Sequence, residues 1–284
     1  MSKESADVRF EDLDPQELPG KAQSEYENKV SLKSASLLVL GLLAGIYIAF
    51  GSIFFLVVIA APDGAIAFGL QQLLGGLAFS IGLILVMVAG AELFTGNTLM
   101  VTLWVQRVAS AAVVGRAWGL AYVSNFVGSL AIVILFFLAT GHLLGEGQVG
   151  VAALETAEEK TALSFYATLA SGILANMLVC LAVWLSFSAR TTQGKILAII
   201  GPIAAFVAAG LEHSVANMSL IPMGLIVKFL AGDQFWASVA LSAEDFPTLT
   251  IGWGLWNILW ATIGNIIGGA VIAAAYWVSY TRQA

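Results

Sequence analysis

Two nine-residue stretches of the chain share one pattern: AGAELFTGN at residues 89–97 and AGLEHSVAN at residues 209–217. Both fit A-G-x-E-x-x-x-x-N, and they lie 120 residues apart (89 to 209). Each places a glutamate and several small or polar residues inside a long apolar run. Helix interruptions at matching places in the two halves of a chain are typical of substrate sites in membrane transport proteins. The repeat therefore predicts both the fold and the position of the functional site.

The composition around these stretches is that of a membrane protein. Of the 284 residues, 59% are hydrophobic and 11% are charged, which is about half the charged fraction of an average soluble protein. The mean hydropathy is +0.91. Residues 1–33 contain 13 of the 30 Lys, Arg, Asp and Glu residues, so the rest of the chain is poorer still in charge. This composition argues against a soluble enzyme, and the lack of a basic patch argues against nucleic acid as a partner.

Charge-free runs give the expected membrane spans, because a helix needs about 20 mostly apolar residues to cross the hydrocarbon layer. The long runs occupy residues 34–62, 64–91, 117–144, 161–189 and 246–281. Residues 93–106 continue the second run beyond Glu92, and the runs 196–211 and 213–227 are separated only by Glu212. We therefore predict an all-α membrane protein with six transmembrane helices, of which the second and the fifth are broken.

The repeat continues into the third span of each half. The residues Ala121, Asn125 and Gly128 recur at a spacing of 140 as Ala261, Asn265 and Gly268. Each half then carries three spans, and an odd number inserts the second half upside down relative to the first. The sequence predicts an inverted 3+3 repeat.

Basic residues set the expected orientation. With both termini in the cytoplasm, ten of the twelve Lys and Arg residues lie inside and only Lys160 and Lys228 lie outside, as the positive-inside rule requires. We expect a cytoplasmic segment at residues 1–33, a channel domain at 34–280 and a cytoplasmic end at 281–284, in the inner membrane. The N-terminal segment is expected to be either a solvated tail or a regulatory element over the pore mouth.

The two breaks have a predictable chemistry. Short helices should restart near Asn97 and Asn217, which are good N-cap residues, and two converging helix N-termini favour an anion. Glu92 and Glu212 are the acidic residues in mid-span. They are expected to support the breaks through hydrogen bonds to backbone N–H groups, with a proton or cation site as the alternative.

Three motifs resemble the formate/nitrite transporter family: ELFTG at residues 92–96, LEHSVANM at 211–218 and TIGN at 262–265. The resemblance extends from about residue 34 to residue 280. It implies a fold similar to that of aquaporins and a homopentamer with one pore per subunit. It also implies passage of small monovalent anions such as formate, nitrite or hydrosulfide, with protons. No cofactor or metal is expected.

The resemblance also assigns roles to individual residues. His213 matches the central pore histidine of the family, Thr95 the threonine on the opposite broken segment, and Asn176 the asparagine beside the histidine. Lys160 matches the lysine that draws anions into the outer vestibule. Asn265 belongs to the third motif and joins this pore set. The expected constriction residues are Phe79, Phe206, Leu83, Phe94 and Val179.

The resulting hypothesis is a channel rather than an enzyme. Lys160 and the helix N-termini would concentrate a weak-acid anion, which would be protonated near His213 and Thr95 and pass the phenylalanines as a neutral acid. Formate is favoured by the motif PMG at residues 222–224, although ELFTG is nitrite-like, so nitrite or hydrosulfide is the alternative. Other classes are an aquaporin-like channel for neutral solutes, a purely structural protein, and an intramembrane hydrolase, for which Ser214 is poorly placed beside His213.

Overall fold

The computed structural model describes residues 12–61 and 66–280, which form α-helices and short 3-10 turns and contain no β-strand. The α-helices of these residues are α1 (Leu18–Val30), α2 (Ser34–Ile59), α3 (Phe68–Ala89), α4 (Phe94–Asn97), α5 (Val101–Val105), α6 (Ala111–Leu138), α7 (Gln148–Ala162), α8 (Phe165–Ser188), α9 (Thr192–Ala208), α10 (Ser214–Leu230), α11 (Asp233–Val239) and α12 (Ile251–Tyr280). The predicted C-terminal segment, residues 281–284, lies outside the described residues.

Five of these helices are long and apolar enough to cross a membrane: α2, α3, α6, α8 and α12. The helices α10 and α11 are bent by 106° and pass the same test as a pair, which gives up to six spans. The apolar helix α9 is shorter, with 17 residues. The apolar runs of the sequence match these helices to within a few residues, and the largest shift is at α6, which begins at Ala111 instead of residue 117.

The long helices pack in two similar groups. The helix α2 contacts α3 and α6, and α8 contacts α9 and α12. In each group one glycine lies against the neighbouring backbone, because a Cβ on Gly128 would overlap the carbonyl of Leu42 and a Cβ on Gly268 the carbonyl of Ile173. Small residues at such points let membrane helices approach closely. The same close contact thus occurs in both halves of the chain.

The helix α1 is packed against the other helices and is not a solvated tail. Its residues Leu18, Ala22 and Tyr26 are buried, since a spacing of four residues places them on one face. The Tyr26 hydroxyl donates a hydrogen bond to the carbonyl oxygen of Gly96 at 3.1 Å. Burial and nearby acidic groups raise the pKa of Tyr26, so this hydroxyl remains a donor. The N-terminal segment therefore contacts the first repeat directly.

Candidate functional site

The backbone leaves the helical conformation at both copies of the repeat. After α3 ends, Gly90 adopts a φ of +82°, and after α9 ends, Gly210 adopts a φ of +64°. Left-handed values of this kind favour glycine. Three further residues are non-helical before α4 begins, and three before α10 begins. The helices α3 and α9 thus end at the two copies of the repeat, and a new helix N-terminus follows each.

The two interruptions meet at a single hydrogen bond. The Oγ1 atom of Thr95 lies 2.7 Å from Nε2 of His213, and both residues are buried, with exposed fractions of 0% and 2%. The other ring nitrogen, Nδ1, accepts from the backbone N–H of Ala216 at 3.1 Å and caps α10. An accepting Nδ1 carries no hydrogen, so the neutral ring has its hydrogen on Nε2, facing Thr95.

Two asparagines hold the non-helical backbone in place. Each accepts from the first backbone N–H of the new helix and donates to two carbonyl oxygens around the break. For Asn125, the distances are 2.9 Å to the backbone nitrogen of Phe94, 2.7 Å to the carbonyl oxygen of Gly41 and 3.0 Å to that of Glu92. For Asn265, they are 2.8 Å to the backbone nitrogen of Ser214, 2.8 Å to the carbonyl oxygen of Gly172 and 3.0 Å to that of Glu212. Unpaired backbone groups are costly in a membrane. Asn265 therefore serves as a backbone support, and Asn125, which the sequence marked only as part of the repeat, does the same.

The mid-span glutamates bind side chains. Each accepts from the asparagine five residues later and pairs with a lysine: Glu92 with Asn97 at 2.9 Å and Lys29 at 3.1 Å, and Glu212 with Asn217 at 2.6 Å and Lys160 at 2.8 Å. The predicted bonds from these carboxylates to backbone N–H groups are wrong, because Asn125 and Asn265 already take that role. The predicted N-caps are also wrong: Asn97 and Asn217 lie inside α4 and α10, and Leu93 and His213 occupy the N-cap positions.

A cavity of about 350 Å³ lies at the N-terminal end of α3, and we name it the outer vestibule after the predicted orientation. Lys160, Glu212 and Asn217 line it, and Phe79 and Phe206 line its far end. The two phenyl rings meet edge to face, with centroids 5.6 Å apart. The ring of Phe206 is in turn 5.7 Å from that of His213. Lys160, Phe79 and Phe206, which the sequence assigned to the pore, therefore line the same cavity.

A second cavity, of about 200 Å³, lies at the opposite end of α3, and we name it the inner vestibule. Its lining includes Lys29, Glu92, Leu83 and Leu93. Of the predicted constriction residues, Leu83 lies here. Phe94 lines neither vestibule, because its ring packs against the side chains of α6, Trp118 at 6.3 Å and Tyr122 at 4.9 Å. Its neighbour Leu93 lines the inner vestibule instead.

Asn176 and Val179 lie on α8 and are buried. The Asn176 Nδ2 group donates to the carbonyl oxygen of Asn265 at 2.6 Å, to Thr98 Oγ1 at 2.9 Å and to the carbonyl oxygen of Thr95 at 3.3 Å. Its Oδ1 atom has no hydrogen-bond partner among the described residues. Asn176 thus links the backbone of the first break to that of α12 through hydrogen bonds, and its Oδ1 atom can still accept one.

Sequence reasoning missed Lys29 and Asn257. Lys29 lies far from the first motif in sequence and reaches it only because α1 packs against the core. Asn257 donates to Glu212 at 2.9 Å and to the carbonyl oxygen of Lys160 at 2.9 Å. In the sequence, each of these two residues is marked only as a polar residue in or near an apolar run. Within residues 12–61 and 66–280, no group of three or more His, Cys, Asp or Glu residues could hold a metal ion.

The chain is similar to known proteins of one family. Residues 16–278 match the family model for formate/nitrite transporters. The chain is 36% identical over 280 residues to the formate channel FocA of Escherichia coli (strain K12), covering 98% of both chains. A solved pentameric formate channel with formate bound superposes with a TM-score of 0.79 at 35% identity, covering 87% of this chain and 97% of the other. An ion channel of the same family superposes with a TM-score of 0.78 at 28% identity, covering 93% and 98%.

These relatives are channels and transporters rather than enzymes, as the sequence predicted. With its long apolar helices, the protein is an integral membrane protein, and it belongs to the formate/nitrite transporter family.

Proposed function

We propose that the protein is a channel for small monovalent anions, with formate as its main substrate, coupled to protons. The pore runs from the outer vestibule through one constriction, where the rings of Phe79 and Phe206 adjoin the Thr95–His213 pair, to the inner vestibule. The observation that carries this proposal is the 2.7 Å bond between those two residues. It joins two buried helix N-termini at a point that lies between two cavities, each with a lysine.

The proposed membrane arrangement has six spans in an inverted 3+3 repeat. In it, α3 with α4 and α5 form the second span, and α9 with α10 form the fifth, each interrupted at its repeat motif. Both termini face the cytoplasm and the protein lies in the inner membrane. A homopentamer is supported by the likeness to a channel described as pentameric.

The first step of the proposed mechanism is attraction of the anion. A bare anion entering an apolar constriction faces an idealised desolvation cost on the order of 20 kcal/mol. Lys160 lies in the outer vestibule with 13% of its side chain exposed. Its bond to Glu212 holds it near the pore, and its positive charge draws the anion toward the constriction.

The second step is protonation of the carboxylate. His213 donates from Nε2 to Thr95 Oγ1, which leaves the threonine hydroxyl hydrogen free to donate to a carboxylate oxygen. A proton taken up on Nδ1 would break the cap on Ala216, so His213 orients Thr95 rather than storing a proton. The proton therefore comes from a hydronium ion in the vestibule, which becomes water as formate becomes formic acid.

The third step is passage of the neutral acid between the rings of Phe79 and Phe206. A neutral molecule avoids most of the desolvation cost of the ion. The same proton is released once the acid reaches water on the other side. Transport is thus driven by the gradients of the anion and of protons together.

The proposal is tested by the fluxes of formate, nitrite and hydrosulfide in proteoliposomes, measured side by side at several pH values. We expect formate flux to be the largest and to rise as the pH falls, because more acid is protonated. A larger nitrite flux would reassign the substrate. Osmotic water or glycerol flux without any pH-dependent formate flux would instead identify a neutral-solute channel.

A further inference from the structure

Asn257 contacts both members of the ion pair in the outer vestibule. Its Nδ2 group donates to Glu212 Oε2 at 2.9 Å and to the carbonyl oxygen of Lys160 at 2.9 Å. Its Oδ1 atom accepts from Asn217 Nδ2 at 2.7 Å. Both amide hydrogens and the amide oxygen are therefore used, and the reversed amide would place its oxygen against a carboxylate and a carbonyl. The surroundings thus fix one orientation of this side chain.

The bond to the carbonyl oxygen of Lys160 holds the end of α7. Lys160 lies in the last turn of that helix, where carbonyl oxygens lack a partner within the helix. The backbone N–H of Leu163 reaches the same oxygen at 3.4 Å, so the bond from Asn257 is the shorter one. A lysine side chain is a flexible four-carbon stem, and the position of its ammonium group depends on where its backbone and its acidic partner are held. Asn257 holds both.

At the inner ion pair the corresponding position carries no amide. By the spacing of 140 that relates α12 to α6 (117 to 257), Asn257 corresponds to Ala117, which is buried. The Lys29 side chain is 25% exposed, against 13% for Lys160, and its bond to Glu92 is longer, at 3.1 Å against 2.8 Å. The two vestibules therefore differ in how closely they hold their lysines.

We propose that Asn257 is a positioning residue for anion entry from the outer side: it holds Lys160 and Glu212 in the arrangement in which both line the outer vestibule. This inference rests on the proposed function, since it takes the outer vestibule as one mouth of the pore. Without Asn257, the end of α7 loses its link to α12 and the carboxylate loses a donor, so the ammonium group takes up several positions. The formate concentration that gives half-maximal flux from the outer side then rises. The maximum flux, which the constriction limits, does not change.

The test measures formate flux over a range of concentrations in membrane vesicles of both orientations that contain the wild type, Asn257→Ala, Asn257→Asp or Ile258→Ala. Loss of the hydrogen bonds should raise the outer half-saturating concentration about three- to tenfold in Asn257→Ala. The inner half-saturating concentration and the maximum flux should stay as in the wild type. Asn257→Asp keeps the size of the side chain, but an ionised carboxylate cannot donate these bonds. It should raise the outer value at least as much.

Ile258→Ala is the matched control. Ile258 is the buried, apolar neighbour of Asn257 on α12, so its truncation should lower the melting temperature and leave both half-saturating concentrations unchanged. An outer value that stays at the wild-type level in both Asn257 variants would overturn the inference, as would equal changes in the outer and inner values. Absence of formate flux in the wild type would instead contradict the proposed function, and this outcome is distinct because it precedes any comparison of variants.

Discussion

Replacing Thr95 by valine removes the hydroxyl that joins the two halves of the site and keeps the shape of the side chain. The only hydrogen bond of Thr95 Oγ1 among the described residues is the 2.7 Å contact with His213 Nε2. Because both residues are buried, the ring N–H is left without an acceptor, at a cost of about 1–3 kcal/mol, in addition to about 1 kcal/mol for the lost bond. We expect a loss of about 2–4 kcal/mol in the free energy of unfolding.

The functional consequence of Thr95→Val should exceed its effect on stability. In the proposed mechanism the hydroxyl holds the carboxylate where it is protonated, and a positioned group contributes a factor of about 10²–10⁴ to a proton transfer, so formate flux at pH 6 should fall at least tenfold. Thr95→Ser keeps the hydroxyl and should retain most of the flux. Flux is measured in proteoliposomes with pentamer content checked by size-exclusion chromatography. A Thr95→Val protein that assembles and carries formate with the wild-type pH dependence would refute the role assigned to the Thr95–His213 pair.

Three further predictions follow from the surroundings of the site. Lys160→Met should destabilise the protein by about 3–5 kcal/mol, because it leaves the buried carboxylate of Glu212 without its lysine. The double variant with Glu212→Gln should recover the stability, measured in a thermal melt, but not the formate flux. Asn125→Ala and Asn265→Ala should each cost about 3 kcal/mol, because each leaves one N–H group and one carbonyl group of a break unpaired, and equal thermal shifts would support their equivalence. Burial lowers the pKa of His142, so folding favours its neutral form. The contribution of His142 to stability should therefore be complete above a pH of about 6.5 and decrease below it. His142→Gln should flatten the dependence of the melting temperature on pH.

The fold was largely predictable because a membrane imposes length and polarity on each span. Charge-free runs located the long helices, and the repeated A-G-x-E-x-x-x-x-N pattern marked where α3 and α9 end. Helix ends were less certain: α6 begins at Ala111 because Ser110 caps it by accepting from the backbone N–H of Val113. A local cap of this kind is invisible in a plot of hydropathy.

The two motifs placed His213 and Thr95 on opposite breaks, and the structure brings their side chains to 2.7 Å of each other. The partners of Glu92 and Glu212 were not predictable, because a carboxylate in sequence does not reveal which donors the fold brings to it. The same limit applies to Lys29, whose role depends on the packing of Tyr26 and the rest of α1. Phe94 was expected in the constriction; its ring lies against Trp118 and Tyr122 of α6, and its neighbour Leu93 lines the inner vestibule.

The central claim is that proton-coupled formate passage depends on His213 at the junction of the two breaks. The most direct measurement is formate uptake into proteoliposomes of wild type and His213→Phe, at several pH values with and without a proton gradient. The account predicts uptake by the wild type that increases with external acidity and little uptake by His213→Phe, with the same oligomer formed by both. Equal, equally pH-dependent uptake by the two proteins would contradict it.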